Sequence, residues 1–312
     1  MVYGQTQTLQ TKKGVKASKM SLQALKKPIS VSIPGLPAQY KAIKKIGSGL
    51  SGQIYLALDS TGQKLVIKKY TDLVDAETGK KMKAQIASLS KFQSEHLLNY
   101  LDGFGNQHGE FFVIMEYFDG HNLTDLDINK MTNGDKLQII LQLILGLNDL
   151  HTEYNLAHQD IKPSNIMISN DGSTVRYIGY GLTLDLNSWK KNYNLTSGAP
   201  YYRPPENIEV PTQTNLLQLF KSGDIWSLGA VIYYILTGRH AFEQSAQSVE
   251  EINQNILKSE PDYSLLPAEF LMSESFQIMI SSMLNKNYKK RLDIEAVMDL
   301  YEVAHKEIST GP

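Results

Sequence analysis

The chain has 312 residues, a formal net charge of −1 and an apolar content of 42%. This nearly neutral balance gives no support to a nucleic-acid-binding or membrane-surface role, and we expect neither partner. There is no cysteine, which excludes disulfides, thiolate metal sites and cysteine nucleophiles. The most apolar run, Ile225–Leu236, is too short to span a bilayer, so we expect a soluble protein with no membrane span and a cytoplasmic location.

Residues 1–38 differ in composition from the rest of the chain. They carry six lysines and no acidic residue, and Pro28, Pro34 and Pro37 interrupt any continuing element. The composition predicts a flexible basic tail over 1–38 and a folded domain over 39–308. The lysines allow two interpretations, a solvated tail or a segment that docks on an anionic surface.

The first motif is a glycine-rich turn between two extended runs. Residues 40–46 read as a strand, Gly47, Gly49 and Gly52 form a G-x-G-x-x-G pattern, and residues 53–58 resume an extended run. Glycines at this spacing let backbone N–H groups approach a polyphosphate without Cβ atoms in the way. In a dinucleotide-binding fold a helix would follow the pattern, whereas here a second strand follows. The turn therefore predicts a hairpin that covers phosphates.

The next strand, Lys64–Tyr70, carries a candidate phosphate ligand. Strand alternation puts Val66 and Lys68 on one face and places the neighbouring Lys69 outside. Further along, residues 76–92 show the periodicity of a helix with one apolar face. Residues 111–120 read as a buried strand that runs into a linker, and residues 135–151 as a core helix.

The stretch with the most chemistry is residues 158–165, which read HQDIKPSN directly before an apolar run. Asp160 and Lys162 are two residues apart, so an extended loop points both into one site, with Asn165 a turn further on. A loop aspartate accepts a hydroxyl proton, a lysine neutralises phosphate charge, and an asparagine oxygen ligates Mg²⁺. An ordinary polar turn before a strand is the alternative, and the stretch alone does not exclude it.

These motifs resemble the signature set of the protein kinases. Residues 158–165 resemble the catalytic loop H-R-D-L-x-x-x-N, with the serine/threonine-type lysine two residues after the aspartate. The strand Lys64–Tyr70 resembles V-A-I-K, and the glycine turn resembles the kinase glycine-rich loop. Residues 198–206 resemble the segment that ends in A-P-E, and residues 224–229 resemble D-x-W-x-x-G of the central helix.

The resemblance covers roughly residues 40–304 and implies an α+β fold of two lobes. A small β-rich lobe with one helix would occupy 39–118, and a larger, mainly helical lobe 119–308. The nucleotide would lie between them. Two scaffold roles are also implied, with Asp224 binding backbone groups of the catalytic loop and Arg291 pairing with the glutamate of the A-P-E-like segment.

The resemblance also assigns roles at the cleft. Asp160 would accept the substrate proton, Lys162 and Lys68 would neutralise phosphate charge, and Asn165 would be the surviving metal ligand. The implied ligands are ATP with Mg²⁺ or Mn²⁺, and the implied partner is a protein substrate or a protein regulated by contact. The implied nucleotide-binding residues are Gly47, Gly49, Gly52, Ile54, Val66, Lys68, Met115, Glu116, Phe118 and Met167.

The main departure from the family is at residues 179–181, which read Gly-Tyr-Gly where the family has D-F-G. The aspartate of that triplet is the family's main Mg²⁺ ligand, and Gly179 has no side chain to offer. Asn165 with water would hold an ion weakly, and Asp185 is the nearest downstream carboxylate. Tyr180 is expected to fill the apolar place of the phenylalanine.

Two glutamines mark further departures. Gln85 falls where the family has a glutamate that holds the strand lysine, and an amide brings no charge to that task. Gln159 replaces an arginine that would grip an activation-loop phosphate. This argues against control by phosphorylation of Tyr193, Thr196 or Ser197.

Three functions stay open at this point. We expect an ATP-binding serine/threonine protein kinase that transfers the γ-phosphoryl group to a protein hydroxyl with a weakened metal site. The alternatives are a catalytically dead pseudokinase that acts as a scaffold or allosteric regulator, and a kinase-fold transferase with a non-protein substrate. The composition, rich in Asn, Gln, Lys and Ile, is compatible with a microbial source, in which case a host cytosol would be the location.

Overall fold

The computed structural model describes residues 31–49, 52–180, 200–209, 211 and 215–310, and the structural statements below concern these residues alone. The predicted α+β fold is confirmed, with a small lobe built on a β-sheet and a larger, mainly helical lobe. None of the helices in these ranges is both long and apolar enough to cross a membrane.

The small lobe is a five-stranded antiparallel sheet with the strand order β1-β2-β3-β5-β4. The central strand β3 alternates as predicted, because Leu65 and Ile67 are buried on the outer face while Val66 and Lys68 are half-buried on the cleft face. The strands are β1 (Lys41–Gly49), β2 (Gly52–Leu58), β3 (Lys64–Tyr70), β4 (Tyr100–Gly105) and β5 (Phe111–Glu116).

One helix, α1 (Ala76–Leu89), packs on this sheet. It begins at Asp75, whose carboxylate accepts hydrogen bonds from two backbone N–H groups of the first turn. It ends three residues earlier than predicted, because residues 90–92 form a tighter turn that brings the Phe92 ring onto Tyr154 of the larger lobe, 3.7 Å between centroids. The buried residues of α1 are those of its predicted apolar face: Met82, Ile86 and Leu89.

The larger lobe holds the other six helices of the described chain. α2 begins two residues earlier than predicted, because Thr132 and Asp135 form a reciprocal capping box. α3 is buried along most of its length and lies at the centre of the lobe. The helices are α2 (Asn133–Asn148), α3 (Leu216–Thr237), α4 (Val249–Lys258), α5 (Ala268–Met272), α6 (Glu274–Met283) and α7 (Ile294–Thr310).

A small antiparallel sheet lies at the boundary of the lobes and positions the site. Its strands are β6 (Gly120–Asn122), β7 (Ile166–Ser169) and β8 (Val175–Tyr177), in that order. The 158–165 stretch enters β7, and position 179 follows β8. Because β7 and β8 are antiparallel and Ile166 pairs with Tyr177, the start of β7 and the end of β8 lie side by side at the cleft.

Residues 31–38, which the sequence assigns to the tail, contact the outer face of the small sheet. The Val31 N–H donates to the Ala42 carbonyl at 3.0 Å, and Ile33 and Leu36 pack against the buried apolar cluster of that face. The tail boundary at residue 38 stays a prediction, and residues 1–30 lie outside the described residues. These contacts attach residues 31–37 to the small lobe.

Gly35 is a specific requirement of this segment. Its φ is +79°, and a Cβ would overlap Asn106 Nδ2, which bonds Glu110. Gly35→Ala is therefore expected to destabilise the fold by about 1–2 kcal/mol more than Gly62→Ala, measured by urea unfolding. Gly62 has a φ of +88° with open space around its Cβ direction, so it controls for backbone strain alone. Equal losses in the two variants would contradict the packing of residues 31–37.

A buried ion pair connects two distant parts of the larger lobe, as the resemblance implies. The Arg291 guanidinium donates to both oxygens of Glu206, at 2.7 and 2.8 Å, and both side chains are buried. The same guanidinium lies 5.0 Å from the Trp226 ring on α3. A bidentate pair of this kind fixes the end of the A-P-E-like segment, at Glu206, to the helical core.

Lys286 lies near the same ion pair, against the rings of Trp226 and Phe242. Its ammonium group is 4.1 Å from the Phe242 ring and 5.0 Å from the Trp226 ring, and it has no hydrogen-bond partner in the described part of the chain. Burial lowers the pKa of Lys286 to about 8, while the charge of Glu260 opposes the shift and that of Arg291 adds to it. The folded protein thus holds a poorly solvated charge below pH 8.

The pKa of Lys286 leads to a prediction about stability. Between pH 8 and the ordinary pKa of 10.5 the unfolded chain binds a proton that the folded chain does not, so this residue makes stability rise with pH in that window. We expect Lys286→Met to remove this slope and to stabilise the protein at pH 7 by about 1 kcal/mol, after discounting for solvent screening. Thermal unfolding at pH 7 and pH 10 measures both effects. The exposed Lys290→Met is the control, and a loss of stability in Lys286→Met at pH 7 would contradict the prediction.

Candidate active site

The 158–165 loop is fixed by one buried carboxylate. Asp224 on α3 is 1% exposed, and its two oxygens accept hydrogen bonds from the backbone N–H groups of His158, at 2.6 Å, and Gln159, at 2.7 Å. His151 Nε2 also lies 3.1 Å from the carboxylate. Gln159 has a φ of +64°, a conformation that such anchoring stabilises. The predicted scaffold role of Asp224 is confirmed.

The loop brings Asp160, Lys162 and Asn165 together. The Lys162 ammonium lies 2.8 Å from one oxygen of the Asp160 carboxylate and 2.7 Å from the other. Asn165 Nδ2 donates to the second oxygen at 2.7 Å and to the Asp160 carbonyl at 2.8 Å. The carboxylate is therefore held in one orientation. Its side chain is still 47% exposed, which leaves it accessible to a second molecule.

Lys68 faces this trio from β3. Burial lowers the pKa of Lys68, the charge of Asp160 opposes that shift, and the charge of Lys162 adds to it. Its ammonium lies 4.7 Å from the Tyr70 ring, and no carboxylate among the described residues pairs with it. Gln85 is half-buried on α1. Among the described residues, this part of the cleft brings together the ammonium groups of Lys68 and Lys162 and the carboxylate of Asp160, a balance that favours an anionic ligand.

The strand register brings several of the predicted nucleotide residues together. Ile54 lies opposite Lys68 on β2, and Val66 lies opposite Met115 on β5. Met167 is half-buried on β7. The three predicted glycines lie at the β1–β2 turn, and a Cβ at Gly52 would overlap the Lys69 carbonyl.

Glu116 ends β5, and Phe118 lies in the linker that follows it. The Phe118 N–H forms no hydrogen bond to any other described residue and is available to a ligand. The Glu116 carboxylate is already engaged within the protein, since it accepts hydrogen bonds from the Asn99 N–H at 2.8 Å and from Arg176 Nη1 at 2.5 Å. Arg176 was not identified from the sequence, although its place between the buried Val175 and Tyr177 puts it on the opposite face of β8.

Position 179 faces Asn165 directly. The Ile178 N–H donates to the Asn165 carbonyl at 2.9 Å, and a Cβ on Gly179 would lie 3.3 Å from the Asn165 side chain. Asn165 already uses its Nδ2 on Asp160, so its Oδ1 is the amide oxygen that remains for a metal. Across the described ranges, no group of three or more His, Asp or Glu side chains could hold an ion. Because Mg²⁺ prefers an octahedron of oxygens that includes carboxylate, the described residues do not fit such a site.

Tyr180 is 1% exposed and fills the apolar place predicted for it. Its hydroxyl donates to the Leu98 carbonyl at 2.5 Å, and its ring meets Tyr100 edge-on at 5.1 Å. Burial raises the pKa of the Tyr180 hydroxyl, so it remains a donor. The predictions for Asp185, for the three candidate phosphorylation positions and for the rest of 181–199 lie outside the described residues.

Comparison with known proteins supports the protein kinase resemblance and confirms it at the level of the family. Residues 40–301 match the family described as the protein kinase domain. The serine/threonine-protein kinase Nek5 of Mus musculus is 28% identical over 266 residues, which cover 81% of this chain and 41% of Nek5. The serine/threonine-protein kinase pakA of Talaromyces marneffei is 30% identical over 213 residues, 67% of this chain and 32% of pakA. The chain spans less than half of each relative.

A solved structure supports the fold independently. The crystal structure of Rad53 1-466 in complex with AMP-PNP superimposes with a TM-score of 0.67 at 21% identity. The match covers 84% of this chain and 64% of that chain. At this level of identity the likeness shows the shared fold alone.

Proposed function

The chain belongs to the protein kinase domain family, and on that premise we propose that it binds ATP and transfers the γ-phosphoryl group to serine or threonine hydroxyls of a protein. The observation that carries the proposal is the Asp160 carboxylate, which is oriented by Lys162 and Asn165 yet accessible. The serine/threonine kinases among its relatives and the AMP-PNP complex of Rad53 support the same choice. A cytoplasmic location remains a prediction.

Nucleotide binding is supported by the cleft between the lobes. The adenine base would lie against Val66, Met115 and Met167, within reach of the free Phe118 N–H. The phosphates would lie towards Lys68, whose ammonium lacks a carboxylate partner in the described chain. Anionic phosphates would supply the negative partner that the Lys68 ammonium lacks among the described residues, which favours binding.

Phosphoryl transfer would then run through Asp160. The substrate hydroxyl oxygen attacks the γ-phosphorus, the bond from that phosphorus to the β,γ-bridging oxygen breaks, and ADP leaves with the electron pair. Asp160 accepts the hydroxyl proton, while Lys162 and Lys68 neutralise charge on the transferring group. The described residues lack a fitting Mg²⁺ site, so we propose that the divalent ion contributes unusually little.

A second candidate function, that of a pseudokinase acting as a scaffold or regulator, is favoured by one specific observation. Gly179 faces Asn165 where the family provides a metal carboxylate. Loss of such a ligand removes roughly 10²–10⁴ in rate, which leaves slow turnover within reach of measurement. Transfer to a non-protein hydroxyl is the third candidate, and the Asp160 geometry serves it equally.

Thermal unfolding with ATP tests nucleotide binding. We expect ATP to raise the melting temperature of the native chain, with little further rise on adding Mg²⁺. Lys68→Met should lose most of the ATP-induced rise, whereas Lys69→Met should keep it, because Lys69 projects from the other face and pairs with Glu110 at 2.5 Å. No rise with ATP in the native chain, with or without Mg²⁺, would refute nucleotide binding.

Transfer from γ-labelled ATP to the chain itself and to a protein acceptor tests the reaction. Label on serine or threonine supports the proposal. A normal ATP-induced rise in melting temperature without any labelled protein would favour the pseudokinase, and label found only on small hydroxyl compounds would favour the third candidate.

A further inference from the structure

Arg176 on β8 forms a connection between the lobes that the reaction described above does not use. Its Nε donates to the Glu95 carbonyl at 3.0 Å, and its Nη1 donates to Glu116 at 2.5 Å. The two side chains of this ion pair are 20% and 24% exposed, so water screens them less than it screens a surface pair. One guanidinium thus holds the loop before β4 and the last residue of β5, after which the linker begins.

The same guanidinium also contacts Phe118, the second residue of the linker after β5. The Arg176 Cζ lies 5.1 Å from the centre of the Phe118 ring. Asn99 also holds Glu116, because its N–H donates at 2.8 Å to the same carboxylate oxygen that Arg176 contacts and its carbonyl accepts from the Glu116 N–H at 3.0 Å. The residues on both sides of Tyr117 are therefore fixed from β8.

The strand that carries Arg176 is itself firmly placed. The Tyr177 N–H donates to the His96 carbonyl at 2.8 Å, and the Leu98 N–H donates to the Tyr177 carbonyl at 2.9 Å. β8 therefore forms a short parallel bridge with the loop before β4. Arg176 extends from a rigid element to the linker, which is a short segment with few backbone bonds of its own.

We propose that Arg176 is a positioning residue for base recognition, holding the linker so that the Phe118 N–H faces the cleft. The inference rests on the proposed ATP binding and adds the residue that prepares the base-binding segment. The linker need not be ordered by the ligand, so less affinity is lost to ordering when the base binds. A ligand with phosphates but no base gains nothing from this arrangement.

The test compares ATP with inorganic tripolyphosphate, both without added metal, by titration calorimetry. We expect Arg176→Gln to weaken ATP binding by about tenfold and to leave tripolyphosphate binding within about twofold of the native value. Glu116→Gln, which keeps an acceptor for Asn99 but removes the charge, should weaken ATP binding in the same direction. The double variant should lose no more than Arg176→Gln alone, because the two residues act as one unit.

The control is Arg239→Gln, which removes an exposed arginine in the larger lobe and should bind both ligands as the native chain does. Native ATP affinity in both Arg176→Gln and Glu116→Gln would overturn the inference. Equal weakening of ATP and tripolyphosphate would also overturn it, since that pattern indicates general damage to the cleft. A native chain that binds tripolyphosphate as tightly as ATP would overturn the role of the linker while leaving phosphate binding intact, and one that binds neither would overturn the proposed function too.

Discussion

Asp160→Asn is expected to lower phosphoryl transfer by roughly 10²–10⁴-fold, the usual contribution of a general base, while ATP still stabilises the fold. Asparagine has nearly the shape of aspartate, and its one oxygen can accept from either Lys162 or Asn165, which now share both carboxylate oxygens. The amide cannot take the hydroxyl proton. Because the substitution also removes a negative charge from the phosphate cleft, ATP binding should hold or strengthen.

Initial rates with γ-labelled ATP and melting temperatures with and without ATP measure the two effects of this substitution separately. Asp299→Asn, an exposed change on α7, is the matched control and should leave both unchanged. If Asp160→Asn transfers the label at the native rate, Asp160 is not the base. A variant that loses the ATP-induced rise as well would show that the carboxylate organises the cleft instead of reacting in it.

Local spacing was enough to predict which side chains of the loop meet. Asp160, Lys162 and Asn165 lie within six residues, so the loop backbone alone brings them together. The alternation of β3 similarly placed Lys68 in the cleft, because a strand has only two faces. These inferences need no knowledge of which distant segments pack against each other.

Contacts between distant segments could not be predicted in this way. Arg176 and Glu116 are separated by 60 positions, and their meeting depends on how β8 and β5 lie relative to each other. The contacts of residues 31–37 with the small sheet are likewise not predicted from the sequence, because the prolines there interrupt any regular element. A signal does exist in the sequence, since strand alternation puts Leu65 and Ile67 on one face of β3 and an apolar face needs a cover, part of which Ile33 and Leu36 supply.

Gly179 leaves the place beside Asn165 without a carboxylate, and a substitution at position 179 can supply one. Gly179 has a φ of +85°, in the left-handed region that aspartate and asparagine tolerate better than most residues. A new Cβ would lie 3.3 Å from Asn165, which must shift by a few tenths of an ångström. Gly179→Asp would then place a carboxylate beside the Asn165 amide, the combination of oxygens that Mg²⁺ prefers.

We therefore expect Gly179→Asp to make the ATP-induced rise in melting temperature increase clearly with Mg²⁺, and to raise the Mg²⁺-dependent transfer rate by at least about 10²-fold. Gly179→Asn is the matched control, because it meets the same backbone strain and the same Asn165 contact without adding charge. If Gly179→Asn gains as much as Gly179→Asp, the effect comes from packing and not from metal binding. If the native chain already shows the full Mg²⁺ effect, another carboxylate holds the ion, and the weakened metal site proposed for Gly179 is wrong.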